Sequence, residues 1–516
     1  MRNFKTAYLF IFALFFFLRI WGITFGLPYD GIHPTENFTV ANSLHYAVSL
    51  DFKPSNYQHP AFFQYLISLI GIVLRIPVSL YPVYYLLARL LSCAASFLSV
   101  YVLYILGKRL FNSAFLGMVC AAFLGFNVLS VKYAHYGVPD SVCVLFISAS
   151  LLYALEIIKE PRVKNYVLCG LFCGLSLGSK FYGLIAAGAL VCAYCVSSQE
   201  DRKRSLGAFL LALSVGVFIF CAVSPFHVVK FKEAITDFSV YLSEKGYMQA
   251  AVSRSSGLLI YPFLFLQENI VGMAGVLSGI GGAAGMFRKD RKRFAIVIVP
   301  AAFFLLALGL EKGGTIQNVL PVLPFMSVAG AYFFSVLEKR VNRKLLTAAL
   351  FVFFLAPGIR AGIFDYYLLQ KDTRVLAQEW LRDNIPEKTK IGFEAYTPFD
   401  LNRIQRSFAA ERFDAEYFIP SLSQYPAGYF VEQGYAYIVA SGFREDMYRS
   451  FCEREGLCEG YNNYQGYARR MTLAARFSAP GPRRLFGLTG IAAPWGAWPH
   501  NPEIKIYKVP RTVERD

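Results

Sequence analysis

Apolar segments long enough to cross a lipid bilayer occupy most of the first 363 residues of this chain. A bilayer core requires about 20 consecutive apolar residues in a helix, and about eleven segments approach that length. They cover residues 6–23, 83–106, 114–130, 140–158, 163–178, 181–197, 206–224, 258–280, 294–310, 317–336 and 345–363. The sequence therefore predicts a polytopic α-helical membrane protein, with a transmembrane domain at 1–363.

Composition and charge agree with this class. Of the 516 residues, 56% are hydrophobic and 16% are charged, whereas soluble domains carry about a quarter charged residues. The excess of 51 Lys and Arg over 34 Asp and Glu could indicate a nucleic-acid binder. These basic residues form short clusters between apolar runs, a pattern typical of membrane topology, so we expect membrane lipid and no nucleic acid as a partner.

The distribution of basic residues among the loops predicts the orientation. Clusters such as Lys108-Arg109, Arg202 to Arg204 and Arg288 to Arg293 fall on one side of the membrane when the spans alternate. The positive-inside rule makes that side cytoplasmic. We therefore expect a multi-pass protein of the inner (plasma) membrane with a cytoplasmic N-terminus, an outer loop at 24–82 and a periplasmic or extracellular C-terminal domain.

The outer loop contains two predicted interfacial helices, at 36–50 and 60–75. Apolar residues recur on one face of the first helix. The second begins with proline, which is favoured at the first helical position. His33 and Glu36 open the first helix, and His59 precedes the second.

The acidic residue at the start of the first helix has two interpretations. Thr35 or Glu36 near a helix N-terminus is stabilising by itself, so a cap alone would explain it. A functional site is the alternative. Arg89, about two turns into a span, favours function because an unpaired charge there is costly. A polar cavity at the outer face, with carboxylates for acid–base chemistry and cations for an anionic group, would be formed by six residues from different segments: Glu36, His59, Arg89, His135, Asp140 and Lys180.

The ordered series of motifs resembles the C-type, multi-spanning glycosyltransferases. It begins with FLRIWGITFGLPYDGIHPTEN, followed by His59-Pro60, Arg89, YAHYGVPD ending at Asp140, and GLSLGSKFYG around Lys180. A proline-rich span, VLPVLPFMSVAGAYF, and the segment TRVLAQEWLRDNIPEKTKIGFEAYTP come next. The series is most similar to the branch of protein O-mannosyltransferases and of aminoarabinose transferases that modify lipid A.

This resemblance implies transfer of a sugar from a polyprenyl-phosphate carrier to a lipid, glycan or protein acceptor on the outer face. A carboxylate would take the acceptor's proton, and inversion at the anomeric carbon is expected. The implied catalytic residues are Glu36 and Asp140. The implied substrate-binding residues are His33, His59, Arg89, His135, Lys180 and Tyr182. The sequence assigns no metal ligand and no cofactor, and leaves a divalent metal open.

Two positions depart from the family pattern. The family's acidic pair has Asp first, whereas this chain has Thr35 followed by Glu36. The base is then Glu36, Asp30 or Asp140, or the protein is catalytically impaired. The Arg-aromatic pair before the proline-rich span is replaced by Gln317-Asn318, where Lys312 could substitute.

The C-terminal portion, 364–516, differs in character and is predicted to form a small extracytoplasmic α/β domain. Residues 372–384 have a helical period, and KIGFEAY, YAYIVAS and EIKIYKV are typical of strands. Cys452 and Cys458 lie close together in a compartment expected to be oxidising, which predicts a disulfide. The domain would recognise the acceptor or simply pack against the outer loop.

Two other functions remain as alternatives. A transporter or lipid flippase would also have many spans and buried charges, but no internal repeat is found and the polar residues lie at the outer face rather than the midplane. A non-catalytic member of the same fold is compatible with Thr35.

Overall fold

The computed structural model describes residues 2–250, 272–310, 316–401, 407–418, 421–478 and 501–511. The chain divides into two compact units. The helical unit contains the chain before Thr24 and most of the chain between Phe38 and Asp365. The sheet unit contains Thr24–Asn37 together with the chain from Tyr366 onward.

Helices form most of the described chain before Tyr366. They are α1 (Arg2–Ile20), α2 (Pro34–Ser49), α3 (Phe62–Val73), α4 (Tyr81–Phe111), α5 (Ala114–Gly125), α6 (Val128–His135), α7 (Asp140–Ile157), α8 (Val163–Ser179), α9 (Ile185–Cys195), α10 (Gln199–Val223), α11 (Pro225–Val229), α12 (Phe231–Ala250), α13 (Gly272–Lys289), α14 (Arg291–Leu310), α15 (Leu323–Glu338) and α16 (Arg343–Leu368). Short 3-10 turns lie at Val78–Leu80, Phe181–Leu184 and Ile316–Val322. The two helices predicted in the outer loop correspond to α2 and α3.

Within the described ranges, six helices are long and apolar enough to cross a membrane, or seven if the bent pair α5–α6 is one span. These confirm a polytopic helical membrane protein. Other segments predicted as spans form shorter apolar helices, such as Thr6–Ile20 and Phe181–Cys195. The predicted span at 258–280 lies largely outside the described residues.

The bend between α5 and α6 is held by a buried arginine from α1. The two helices meet at 61°, and the carbonyl groups at the end of α5 lose their helical partners there. Arg19 donates from Nη1 to the Gly125 carbonyl at 3.0 Å and from Nη2 to the Leu124 carbonyl at 3.1 Å. Its Nε donates to Ser96 Oγ at 2.8 Å. Because unsatisfied backbone groups are costly in lipid, these hydrogen bonds from Arg19 stabilise the bend.

The sheet unit is a mixed α/β domain, as predicted. The strands are β1 (Lys390–Glu394), β2 (Asp414–Phe418), β3 (Tyr437–Ser441), β4 (Thr472–Phe477) and β5 (Ile504–Lys508). They form a five-stranded sheet with the order β2-β1-β3-β5-β4. The strands β1 and β3 are parallel, as are β1 and β2, whereas β5 is antiparallel to both β3 and β4.

Helices cover both faces of this sheet. The helices of this unit are α17 (Thr373–Asn384), α18 (Phe408–Arg412), α19 (Ala427–Glu432), α20 (Gly442–Glu455) and α21 (Glu459–Arg470), with 3-10 turns at Pro398–Asp400 and Leu422–Gln424. Leu381 from α17 packs with Phe393 and Ile506 in one core, and Tyr467 from α21 packs with Phe430 and Ile438 in the other.

A disulfide joins Cys452 to Cys458, with the Cα atoms 4.2 Å apart. This confirms the predicted pairing. Cys452 lies in the last turns of α20 and Cys458 immediately precedes α21. The bond therefore closes the short connection between these two helices.

A buried carboxyl group joins β1 to its neighbours. Glu394, at the end of β1, accepts from the backbone N–H groups of Leu422 at 3.1 Å and of Ser441 at 2.8 Å. The hydroxyls of Ser421 and Tyr464 also donate to it. Burial raises the pKa of Glu394 above its usual value. These hydrogen bonds join the end of β1 to residues 421–422 and to β3, so Glu394 supports the sheet.

Candidate active site

Asp140 and Lys180 form a buried ion pair in the helical unit. Lys180 Nζ lies 2.6 Å from Asp140 Oδ1, and the two side chains are 10% and 5% exposed. Asp140 is the first residue of α7, where the partial positive charge of a helix N-terminus favours a carboxylate. The pairing joins two residues for which the sequence predicts different roles, catalysis for Asp140 and substrate binding for Lys180.

The backbone around Lys180 is fixed by a close approach at a glycine. Lys180 is extended between α8 and the 3-10 turn at 181–184. A Cβ atom at Gly183 would lie 2.2 Å from the Ser176 carbonyl oxygen, so only glycine fits there. Ser176 Oγ donates to the Gly183 carbonyl at 2.9 Å. The glycine-flanked motif therefore folds the chain back and directs Lys180 toward α7.

Tyr182 lies beside the same ammonium group. Lys180 Nζ is 5.5 Å from the centroid of its ring, within the range of a cation–π contact. An ammonium group has three N–H donors. Lys180 can therefore keep its bond to Asp140 and still donate to an anionic group, which is the chemistry expected of a phosphate contact.

Arg89 and His135 both hold the turn that follows α1. Arg89, only 1% exposed, donates from Nη1 to the Ile23 carbonyl at 3.0 Å. His135 places Nε2 at 3.0 Å from the Trp21 carbonyl and Nδ1 at 2.8 Å from the Val131 carbonyl. Arg89 of α4 and His135 of α6 thus both contact backbone carbonyl groups of residues 21–23.

Asp365 is a buried acid that the sequence analysis missed. Its Oδ1 lies 3.6 Å from His135 Nε2, and both side chains are fully buried. The missed signal was a carboxylate directly after a long apolar run, because charges within or beside a span are treated as functional candidates. The predicted span ends at residue 363, two residues earlier.

Glu36 and His33 belong to the sheet unit. His33 is the N-cap of α2: its carbonyl accepts from Asn37 N at 2.9 Å, and its Nδ1 accepts from Glu36 N at 3.2 Å. The N-cap of this helix is therefore His33, the residue directly before Pro34. Glu36 lies in the first turn and is fully buried, as is Asp30. Burial of two carboxyl groups in this stretch is more than a surface cap requires.

The remaining candidates come from other parts of the chain. His59 is half-buried ahead of α3, close in sequence to Tyr57, whose ring packs edge-on against that of His227. Gln317, which replaces the family's cation, accepts from Tyr133 Oη at 2.8 Å. Lys312 lies outside the described residues. In the parts of the chain with described structure, no group of three or more His, Cys, Asp or Glu residues could hold a metal ion.

Comparison with known proteins gives one family match. Residues 58–228 match the dolichyl-phosphate-mannose-protein mannosyltransferase family. This range includes Asp140, Lys180 and Tyr182.

One curated relative and two solved structures illustrate the likeness. The undecaprenyl phosphate-alpha-4-amino-4-deoxy-L-arabinose arabinosyl transferase 1 of Proteus mirabilis is 21% identical over 267 residues, which is 50% of this chain and 47% of that protein. The chain thus matches about half the length of that relative. The oligosaccharyltransferase of Archaeoglobus fulgidus is 14% identical with a TM-score of 0.55, over 92% of this chain and 72% of that chain. ArnT of Cupriavidus metallidurans bound to undecaprenyl phosphate is 13% identical with a TM-score of 0.49, over 98% of both chains.

The family match and the curated relative confirm the resemblance to the C-type, polyprenyl-phosphate-sugar-dependent glycosyltransferases that the motifs indicate. The oligosaccharyltransferase structure supports the fold of the chain as a whole.

Proposed function

We propose that this chain is an integral-membrane glycosyltransferase that moves a sugar from a polyprenyl-phosphate carrier to an acceptor on the outer face of the membrane. The observation that carries the proposal is the buried Asp140–Lys180 pair, because it lies inside the range that matches the mannosyltransferase family. The relative named above uses an undecaprenyl phosphate-linked sugar. A carrier of that class is therefore the proposed donor.

The cations of the helical unit suit the donor phosphate. Lys180 retains N–H donors beyond its bond to Asp140, and charge-assisted hydrogen bonds to phosphate are among the strongest in proteins. Arg89 is proposed as the second phosphate contact. His33, His59, His135 and Tyr182 complete the proposed substrate-binding set.

Glu36 is the proposed base, with Asp140 as the alternative. The carboxylate takes the proton of the acceptor hydroxyl or amine as that atom attacks the anomeric carbon. The new bond forms as the bond from that carbon to the phosphate oxygen breaks, and the polyprenyl phosphate leaves with the bonding electrons. Glu is one methylene longer than Asp, so Glu36 can serve a site in which relatives place the acid one position earlier. Attack opposite the leaving phosphate would invert the configuration.

The proposal includes the orientation and the finer architecture. The chain would cross the inner membrane about eleven times, with the shorter apolar helices completing the six or seven long spans. The N-terminus would be cytoplasmic, and residues 364–516 would form a periplasmic or extracellular domain. The concentration of basic residues in the loops on one side of the predicted spans supports this arrangement.

A transporter or flippase is separated from an enzyme by one experiment. The purified protein is placed in sealed vesicles with a radiolabelled polyprenyl-phosphate sugar and a membrane fraction that supplies acceptors. A glycosyltransferase moves the label into acceptor and releases polyprenyl phosphate. A flippase moves the intact lipid between leaflets without chemical change, and a non-catalytic member does neither. Lipid movement without sugar transfer would overturn the proposal.

A further inference from the structure

The segment that carries Glu36 is fixed by the C-terminal part of the chain. Thr24–Asn37 belongs to the sheet unit rather than to the helices that flank it in sequence. A buried arginine makes one of the contacts responsible. Arg374 Nη1 donates to the carbonyl of Ile32 at 3.1 Å, across 342 residues of sequence. His33 follows directly and caps the helix at Glu36.

The guanidinium of Arg374 is held in place before it reaches Ile32. Its Nε and Nη2 donate to the two carboxylate oxygens of Asp372, each at 2.8 Å. Asp372 is itself the N-cap of α17 and accepts from the backbone N–H of Arg374 at 2.9 Å. Both side chains are nearly fully buried. Because the guanidinium group is planar, fixing Nε and Nη2 on Asp372 also fixes the direction in which Nη1 points. A lysine ammonium group could not reproduce that geometry.

A second contact fixes the preceding residue. Gly31 has a φ of +81°, and a Cβ atom there would lie 1.9 Å from the carbonyl oxygen of Asp400. The Asp400 side chain is anchored in turn, because it accepts from Tyr396 N at 2.5 Å and from Tyr417 Oη at 3.0 Å. Residues 31 and 32 are thus both held by the unit that contains the sheet.

We propose that Arg374 is a positioning residue for the glycosyl transfer, acting through the Ile32 carbonyl and the His33 cap to fix the backbone that presents Glu36. The inference rests on the proposed role of Glu36 as base. It also gives the C-terminal domain a task in the reaction beyond packing: the domain supplies the rigid support for the base. A misplacement of about 1 Å at a reacting group can cost about 10²-fold in rate, so the effect should be measurable.

The test is a kinetic double-mutant cycle on the full-length protein between Arg374→Lys and Glu36→Gln. Arg374→Lys should lower kcat about tenfold to hundredfold while the KM for the polyprenyl-phosphate sugar changes less than about twofold. In the Glu36→Gln background the same substitution should have no further effect on kcat, because its influence passes through Glu36. Arg382→Lys, on the same helix but with a 55% exposed side chain, is the matched control and should leave kcat unchanged.

The outcomes separate this inference from the proposed function. A folded Arg374→Lys protein with normal kcat overturns the positioning role. The positioning role is also overturned if Arg374→Lys lowers kcat by the same factor in the wild-type and Glu36→Gln proteins, because the two residues would then act independently. Normal turnover of Glu36→Gln instead overturns the role of Glu36 as base.

A second variant, Gly31→Ala, tests the same role if Arg374→Lys fails to fold. Gly31→Ala forces the segment away from Asp400 and should give the same loss of kcat and the same lack of effect in the Glu36→Gln background. If neither Arg374→Lys nor Gly31→Ala yields folded protein by circular dichroism and gel filtration, the contacts serve stability and the positioning role is overturned.

Discussion

The ammonium of Lys180 lies 2.6 Å from the carboxylate of Asp140, although 40 residues separate them in the sequence. This pair links the start of α7 to the turn after α8, and both side chains are nearly inaccessible to solvent. Breaking a buried ion pair by removing one partner costs about 3–5 kcal/mol, mostly because the other charge is left uncompensated. The contribution of the pair to stability and its proposed role in the reaction can be measured separately.

The first prediction concerns stability. Asp140→Asn and Lys180→Met should each destabilise the helical unit by about 3–5 kcal/mol, and the double variant should lose less than the sum because no unpaired charge remains. Thermal unfolding in detergent measures the coupling. The control is the exposed pair Glu200–Arg204, with side chains 71% and 76% exposed, for which a coupling below about 1 kcal/mol is expected. Strict additivity at Asp140 and Lys180 would contradict a coupled pair.

The second prediction concerns donor binding. If Lys180 contacts the phosphate, Lys180→Met should raise the donor KM, and Arg89→Met should do the same. Ammonium and guanidinium groups bind phosphate through charge-assisted hydrogen bonds. Both side chains are buried, and salt screens buried charges only weakly, so the loss should persist at high ionic strength. Titration of the polyprenyl-phosphate sugar measures it. An unchanged donor KM in both variants would remove these residues from the phosphate site.

The third prediction distinguishes a base from a cap at Glu36. General-base assistance is worth about 10²–10⁴ in rate, so Glu36→Gln should lower turnover by that order while donor binding survives. A residue that only stabilises the helix N-terminus predicts a loss of about 1 kcal/mol of stability and near-normal turnover of the folded fraction. Glu233→Gln is the matched control, since Glu233 also lies in the first turn of a helix, α12. Normal turnover of folded Glu36→Gln would transfer the role to Asp140.

Much of the fold could be predicted from the sequence, because the signals were local. The patterns that predict membrane spans, and those that predict strands with buried apolar residues such as β1 and β3, are formed by residues that are neighbours in the sequence. The missed strands β2 and β4 lie at the two edges of the sheet. Their side chains are largely exposed or half-buried, so they carry little of the apolar pattern that marks a strand.

The site was less predictable because its contacts are distant in sequence. The candidate residues Asp140 and Lys180 could be named from motifs, but nothing local indicates that they pair. The contacts of Arg374 with Ile32 and of Arg19 with Gly125 span 342 and 106 residues, respectively. Such contacts follow from the packing of whole elements, which the sequence pattern does not specify.

The fourth prediction concerns pH. Burial raises the folded-state pKa of Glu394 above its unfolded value, so the native state holds this proton more tightly than the unfolded state does. The contribution of this group to the free energy of unfolding is therefore fully present below about pH 4.3 and is lost as the pH rises through the folded-state pKa. Scanning calorimetry of the full chain should show the transition of the sheet unit shifting down over that range. A Glu394→Gln variant with the same pH dependence would contradict the assignment.

The stoichiometry of the reaction tests the proposed sugar transfer directly. Purified protein is mixed with a polyprenyl-phosphate sugar labelled in both parts and with isolated membranes as the source of acceptor. We expect one polyprenyl phosphate to be released for each sugar gained by acceptor, and a rate that falls about 10²–10⁴-fold in Glu36→Gln. Intact donor after prolonged incubation with wild-type protein, or sugar transfer without release of polyprenyl phosphate, would contradict it.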